Sequence, residues 1–199
     1  MYAGAVSDND DSKFHKIELP LDKKHHWTAT AGFRIAVIDR GAIRFEFPQD
    51  WSCIPDQESV KFYDHKPPED NCRLAASRQR LPDVAERMTL SQLINAAAEG
   101  DTRSLRQTQP LVTVQRGSLE FAWAEFRFTD PQLNRDARSC FCFARGSGVY
   151  GLITFEFWED HSERFIPIWS HVMETLTLGE FVVDPTSGAR LQRNHPQTG

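Results

Sequence analysis

No apolar run in this 199-residue chain approaches the roughly 20 residues a helix needs to span a bilayer, so the sequence contains no membrane-spanning helix. Cysteine is scarce: Cys53, Cys72, Cys140 and Cys142 are too few and too unevenly spaced for a disulfide framework. Asn-x-Ser/Thr does not occur. The chain starts Met1-Tyr2-Ala3-Gly4-Ala5-Val6 and then turns acidic at Asp8, Asp10 and Asp11, without the basic and apolar regions of a secretory signal. The expected compartment is therefore the cytoplasm. A formal charge of −5, spread along the chain, lacks the concentrated basic face that nucleic acid requires.

Chemical motifs are missing as well. There is no Gly-x-Ser-x-Gly, no His-Glu-x-x-His and no Gly-x-Gly-x-x-Gly. Gly146-Ser147-Gly148 lacks the Lys-Ser/Thr of a phosphate loop and precedes a strand pattern, so it reads as a turn. Nothing nominates a cofactor, and the expectation leans away from an enzyme.

What the chain has is aromatic and aliphatic material: 40% hydrophobic residues, with 14 Phe and 5 Trp. A chain of this length suits one domain that buries roughly 70% of its unfolded surface. Residues 1–26 are polar and read as an irregular arm in which Ile17, Leu19 and Leu21 can dock. The domain runs from 27 to 183, and 184–199 reads as a flexible polar tail.

Within the domain, Phe33, Ile35 and Val37 alternate with Arg34 and Ala36, and Ile43, Phe45 and Phe47 with Arg44 and Glu46, around Asp39-Arg40-Gly41, the pattern of a hairpin. Pro48 ends its second strand. Strands are also expected at 60–63 and 72–76, with a loop between them. Thr89 and Gln92 form a capping box, Met88 can staple onto Leu93, and Gly100 stops the helix they begin. The stretch 101–110 reads as loop. Segments 111–116, 119–129, 139–145 and 149–158 read as a meander. Its strand at 119–128 carries Phe121 and Trp123 on one face and Ala122, Ala124, Phe126 and Phe128 on the other, so it should be covered on both sides. Phe165, Ile168, Trp169, Val172, Met173 and Leu176 mark a closing amphipathic helix. Pro167 belongs in its first turn, starting it near Arg164. The fold class is α+β: an antiparallel sheet of about six to seven strands with helices on both faces.

Ile43-Arg44-Phe45-Glu46-Phe47 followed by Pro48-Gln49-Asp50-Trp51 resembles the strand-Pro-Trp entry of the PsbP-like and DcrB-like superfamily. The meander 119–158, the amphipathic helix and Leu176-Thr177-Leu178-Gly179-Glu180-Phe181 are similar to that family's closing elements. That superfamily includes a Ran-binding nuclear-import factor and bacterial chaperones for secreted effectors. The resemblance spans about residues 33–181 and implies a non-catalytic binding protein. This chain differs in its N-terminal arm, its lack of an organellar or lipoprotein signal, and a charged insertion at 65–71.

Three groups of residues stand as candidates for chemistry. Cys140 and Cys142 share one strand face, but a metal would need two more ligands, and Phe141 and Phe143 suit a core strand. Glu156, Glu159, Asp160, His161 and Glu163 crowd the last strand–helix junction. They could serve proton transfer, although acids in a first helical turn also complement its dipole. His25-His26 beside Lys23 and Lys24 reads as a solvated basic stretch. The aromatic residues carry more. Tyr150, Leu152 and Trp158 lie opposite Val149, Ile153, Phe155 and Phe157 on one strand, so a second cover is needed: a helix or a partner. The expected site comprises Tyr150, Leu152, Trp158, Phe121 and Trp123, holding a protein or peptide on a sheet face. No metal is expected. The sequence allows a homo-oligomer. The alternative is a small-molecule or hydrolytic enzyme using the acidic junction and His161.

Overall fold

The computed structural model describes residues 2–7, 14–80, 85 and 87–190. Its chain order is β1 (Tyr2–Ser7), β2 (Phe14–Leu19), β3 (Phe33–Ile38), β4 (Ile43–Pro48), β5 (Ser52–Pro55), β6 (Val60–Tyr63) and β7 (Cys72–Gln79). Then come α1 (Leu90–Glu99), β8 (Arg106–Gln107), β9 (Val112–Arg116), β10 (Leu119–Asp130), β11 (Arg135–Gly146) and β12 (Val149–Trp158). The chain closes with α2 (Ser162–Thr175), β13 (Thr177–Leu178), β14 (Val182–Asp184) and β15 (Ala189–Arg190).

An eight-stranded antiparallel sheet forms the backbone of the fold, in the order β5-β6-β7-β12-β11-β10-β8, with β9 also pairing β10. A five-stranded sheet runs β13-β4-β3-β1-β2. The α+β class and the antiparallel sheet with a helix on each face are as the sequence implies, but the strands are more numerous. β1 runs parallel to β3 and antiparallel to β2, so segments expected to be irregular carry strands. β1 is a run of mostly small residues, and in β2 Phe14 is out of phase with Ile17 and Leu19, so neither shows the alternation that marks a half-buried strand.

Alternation along β12 explains the layering. Val149, Ile153, Phe155 and Phe157 are buried on the inner face with Cys140 and Cys142 of β11 and Leu74 of β7. They meet Phe45 and Phe47 of β4 and the stripe Phe165, Trp169, Val172 and Met173 of α2, continued by Leu176 just past its end. Rings interlock there: Phe155 lies 5.9 Å from Phe165, and Trp123 meets Trp169 edge-on at 5.9 Å. The outer face holds a second cluster, in which Leu90, Leu93 and Ile94 of α1 cover Ala122, Ala124, Phe126, Phe141 and Phe143. β10 is therefore covered on both sides, though it lies next to the sheet edge.

Thr89 and Gln92 form the capping box, with Thr89 N–H donating to Gln92 Oε1 at 2.8 Å. Gly100 caps the C-terminus at φ −78°, so it stops α1 without the left-handed conformation usual for such a glycine. Pro167 lies in the second turn of α2, not the first, because a short 3₁₀ turn at Glu159–His161 leads straight into Ser162. Missing its N–H, Pro167 leaves the Glu163 carbonyl without its helical partner. Leu21 and Trp27 pack with Val37 and Val182, and Trp27 Nε1–H donates to Pro185 O at 2.9 Å. The start of the expected tail is thus a small hairpin, β14–β15; residues 191–199 lie outside the described residues.

Candidate functional site

The register of the large sheet builds a groove at the end of its outer face that α1 leaves open. One row across the strands reads Phe128, Ala137, Trp158; the next reads Phe126, Ser139, Glu156, Arg73, Tyr63. Ala137, small and set between two large aromatic residues, leaves a depression between them. Arg103, from the loop after α1, stands over Phe128 with its guanidinium 4.3 Å from the ring, and Arg135 stands over Trp158 at 4.5 Å. Such cation–ring contacts hold both planes in place. The result is a groove of about 530 Å³, walled on its far side by Pro67, Pro68, Asp70 and Asn71.

Polar bonds fix the wall. The Asp64 carboxylate, fully shielded from solvent, accepts N–H groups from His65 at 3.0 Å and Asn71 at 2.9 Å, and the Asn71 amide at 3.1 Å. Burial alone would raise the pKa of Asp64, but the donors from Asn71 and His65 outweigh it and hold the carboxyl below its usual value. Asn71 O in turn accepts the N–H of Trp158 at 3.3 Å, tying loop to floor.

Arginines neutralise acids on both faces at this end of the sheet. Glu156 is bonded by Arg73 at 2.5 Å and Arg103 at 2.6 Å, and Arg103 also holds Asp101 at 2.7 Å. Glu159 is gripped by Arg138 at 2.6 Å and Arg127 at 2.7 Å, and Asp160 by Arg135 at 2.7 Å. Hydrogen bonds from Arg138 keep Glu159 below the ordinary carboxylate value, and those from Arg135 do the same for Asp160. A general acid at neutral pH needs the opposite shift. His161 lies edge-on to Phe165 at 6.0 Å. Burial pushes the thiols of Cys72, Cys140 and Cys142 up, which makes them poor nucleophiles and poor ligands. All four cysteines are free, and no cluster among the described residues could hold a metal ion.

The five residues expected to form one site part company. Trp158 floors the groove. Leu152 packs against the α1 cluster on the same face, and Tyr150 lies at the far end of β12 in a separate shallow cleft. Phe121 is buried in the main core, and Trp123 packs against that core beside Trp169, because odd-numbered residues of β10 face inward. Sequence reasoning missed Tyr63, Arg73, Arg103 and Phe128. The pattern of β10 places Phe128 on a covered face, and the arginines carry no local signal: their role depends on strand pairing across long separations.

A model of the Alr1449 family matches residues 34–182. The chain belongs to the Alr1449 family. A Nostoc sp. relative from that family, "Uncharacterized protein alr1449", is 40% identical over 175 residues, 87% of this chain and 91% of the relative. Among solved structures, cyanobacterial PsbP (CyanoP) from Synechocystis sp. PCC 6803 superposes with a TM-score of 0.51 at 17% identity, over 76% of this chain and 95% of that one. LpqN of Mycobacterium tuberculosis, involved in cell envelope biogenesis, gives 0.51 at 10% identity over 68% and 82%. These likenesses show a PsbP-like fold over part of the chain, as the strand-Pro-Trp and closing-helix residues imply. The family match includes β7, β10, β11 and β12, the strands that floor the groove.

Proposed function

We propose that this Alr1449-family protein is a non-catalytic binding module, chaperone-like or assembly-like in action, that holds an extended peptide segment of a partner in the outer-face groove. The observation that carries the reading is the groove itself: an open depression on a rigid sheet, with an aromatic floor and a central Glu156 already held by two arginines. A cavity of about 530 Å³ has the size of a ligand site, and aromatic and guanidinium groups are the residues that dominate recognition hot spots. Trp158 offers a ring to stack an apolar side chain, while Arg73, its side chain 47% exposed, offers a donor to a backbone carbonyl. Charges of both signs alternate around it, which suits a polypeptide better than a polyanion. The described residues contain no helix long and apolar enough to cross a membrane. The proposed compartment is the cytoplasm; the four free thiols support it, and cell fractionation checks it.

Selection of a displayed random-peptide library on the purified protein tests the function. Peptides enriched on the wild type should lose binding by about tenfold or more on Trp158→Ala, the typical loss for an interface anchor. Equal binding to both proteins would contradict the proposal.

A further inference from the structure

The charges that line the outer groove do not balance. The carboxylates of Asp70, Asp130 and Glu156 stand there against the guanidiniums of Arg73 and Arg103. Both guanidiniums are already committed: Arg73 and Arg103 share Glu156, and Arg103 also holds Asp101 at 2.7 Å. Asp70 and Asp130 are the remainder. Neither has an ion-pair partner among the described residues, whereas Glu159 and Asp160 nearby each sit against an arginine.

Both acids are held in place without being neutralised. Asp130 follows Phe128 by two residues on β10 and so shares its face of the sheet. Its Oδ1 accepts the N–H groups of Gln132 at 2.9 Å and Leu133 at 2.8 Å, while its Oδ2 has no partner among the described residues. Asp70 stands in the opposite wall, next to Asn71, whose N–H and side-chain amide are tied to Asp64. The Asp70 carboxylate makes no hydrogen bond among the described residues. In the strand order, β12 with Trp158 runs between β10, which carries Asp130, and β7, which the Asp70 loop precedes. The aromatic floor is therefore flanked by an unmatched negative charge on each side. Both acids are half-buried, and low-dielectric walls focus their field on whatever enters.

We infer, on the reading of this groove as a peptide site, that the segment it holds is basic. A lysine or arginine lies on each side of an apolar residue, one head group at Asp70 and the other at Asp130, with the apolar side chain on Trp158 between them. The long aliphatic stems of such residues cover aromatic surface while their charged ends reach outward to the acids. The net charge of −5 on the whole chain draws a cationic segment in the same sense.

Random-peptide display on the purified full chain is the test. Peptides selected on the wild type should be enriched in lysine and arginine. Replacing those residues by glutamine in the best-enriched peptide should weaken its binding about tenfold or more, since hydrogen bonds between charged groups are the strong ones. The double variant Asp70→Asn/Asp130→Asn should weaken the original peptide to a similar extent. Asparagine keeps the Oδ1 acceptor that Gln132 and Leu133 use, so the fold should be retained, as circular dichroism will show. Glu69→Gln, an exposed acid of the same loop outside the groove lining, should leave binding unchanged. Enrichment without basic residues, or equal affinity for the wild type and the double variant, would overturn the inference. If binding is still lost on Trp158→Ala in those cases, the groove reading stands without it. Binding that survives Trp158→Ala would overturn the groove reading and the basic segment together. A loss on Glu69→Gln as large as on the double variant would reduce the effect to overall charge and overturn the inference as well.

Discussion

Trp158 shows how much one side chain can say, and where it stops. The alternation of β12 places it opposite the core-facing residues, and that much is legible from the sequence. That its neighbour across the strands is alanine and not another bulky residue makes the depression, and no local pattern reveals it. The acids next to it behave similarly. Read in sequence, Glu159 and Asp160 look like proton-transfer groups; in space each carboxylate already sits against a guanidinium. This has a consequence for acid stability. Arg138, and more weakly Arg127, hold the Glu159 carboxyl below its ordinary value of 4.5, against the opposing push of burial. A depressed folded-state pKa contributes stability above the unfolded value, and that contribution is lost as pH falls through the folded one. Asp160 shifts in the same direction. Urea midpoints should therefore fall as pH drops below about 4.5, and fall less steeply for Glu159→Gln. Matching slopes for the two proteins would contradict this account of the junction.

At the scale of elements, the strongly periodic segments were the readable ones. The stripe on α2 buries Phe165, Trp169, Val172 and Met173, with Leu176 just past its end, and leaves Ile168 half-buried against the core. The capping box and the hairpin β3–β4 also stand where their residues put them. β11 starts at Arg135, four residues before its apolar stretch, because its first turns of strand are occupied by ion-pairing residues such as Arg138, which bonds the buried Glu125 at 2.9 Å. β5 is a short edge strand of four residues, and β1 and β2 carry apolar residues without a regular period of two. The α2 stripe yields a direct comparison. Trp169 is 2% exposed, and truncating a buried aromatic of its size costs about 3–5 kcal/mol, so Trp169→Ala should be unstable or insoluble. Its Nε1–H is buried without a partner among the described residues, so Trp169→Phe removes an unsatisfied donor and should cost less than the alanine variant. Ser170→Ala, on the exposed side, should change stability by under about 0.5 kcal/mol. Denaturant melts rank the three, and a near wild-type Trp169→Ala would show that the stripe is not core.

For the whole molecule, the two faces of the large sheet divide the labour. The inner face spends its aromatic residues on the core shared with α2 and the small sheet. The outer face is covered by α1 over only part of its length, and the groove occupies the remainder. The class of fold and the presence of two covered faces follow from strand and helix periodicity. The place where cover runs out does not, because it depends on the length of α1 against the length of β10, β11 and β12. Five tryptophans report on these regions separately. Trp158 floors the groove, Trp51 packs in the core against Phe155 and Phe165, Trp27 sits on the β14–β15 hairpin, and Trp123 and Trp169 face each other. Proton–nitrogen correlation spectra of the indole N–H groups, recorded while a selected peptide is added, test the central claim most directly. The account predicts a saturable shift of the Trp158 resonance, with those of Trp51, Trp27, Trp123 and Trp169 nearly still. A stationary Trp158 resonance while Trp51 or Trp27 moves would contradict it.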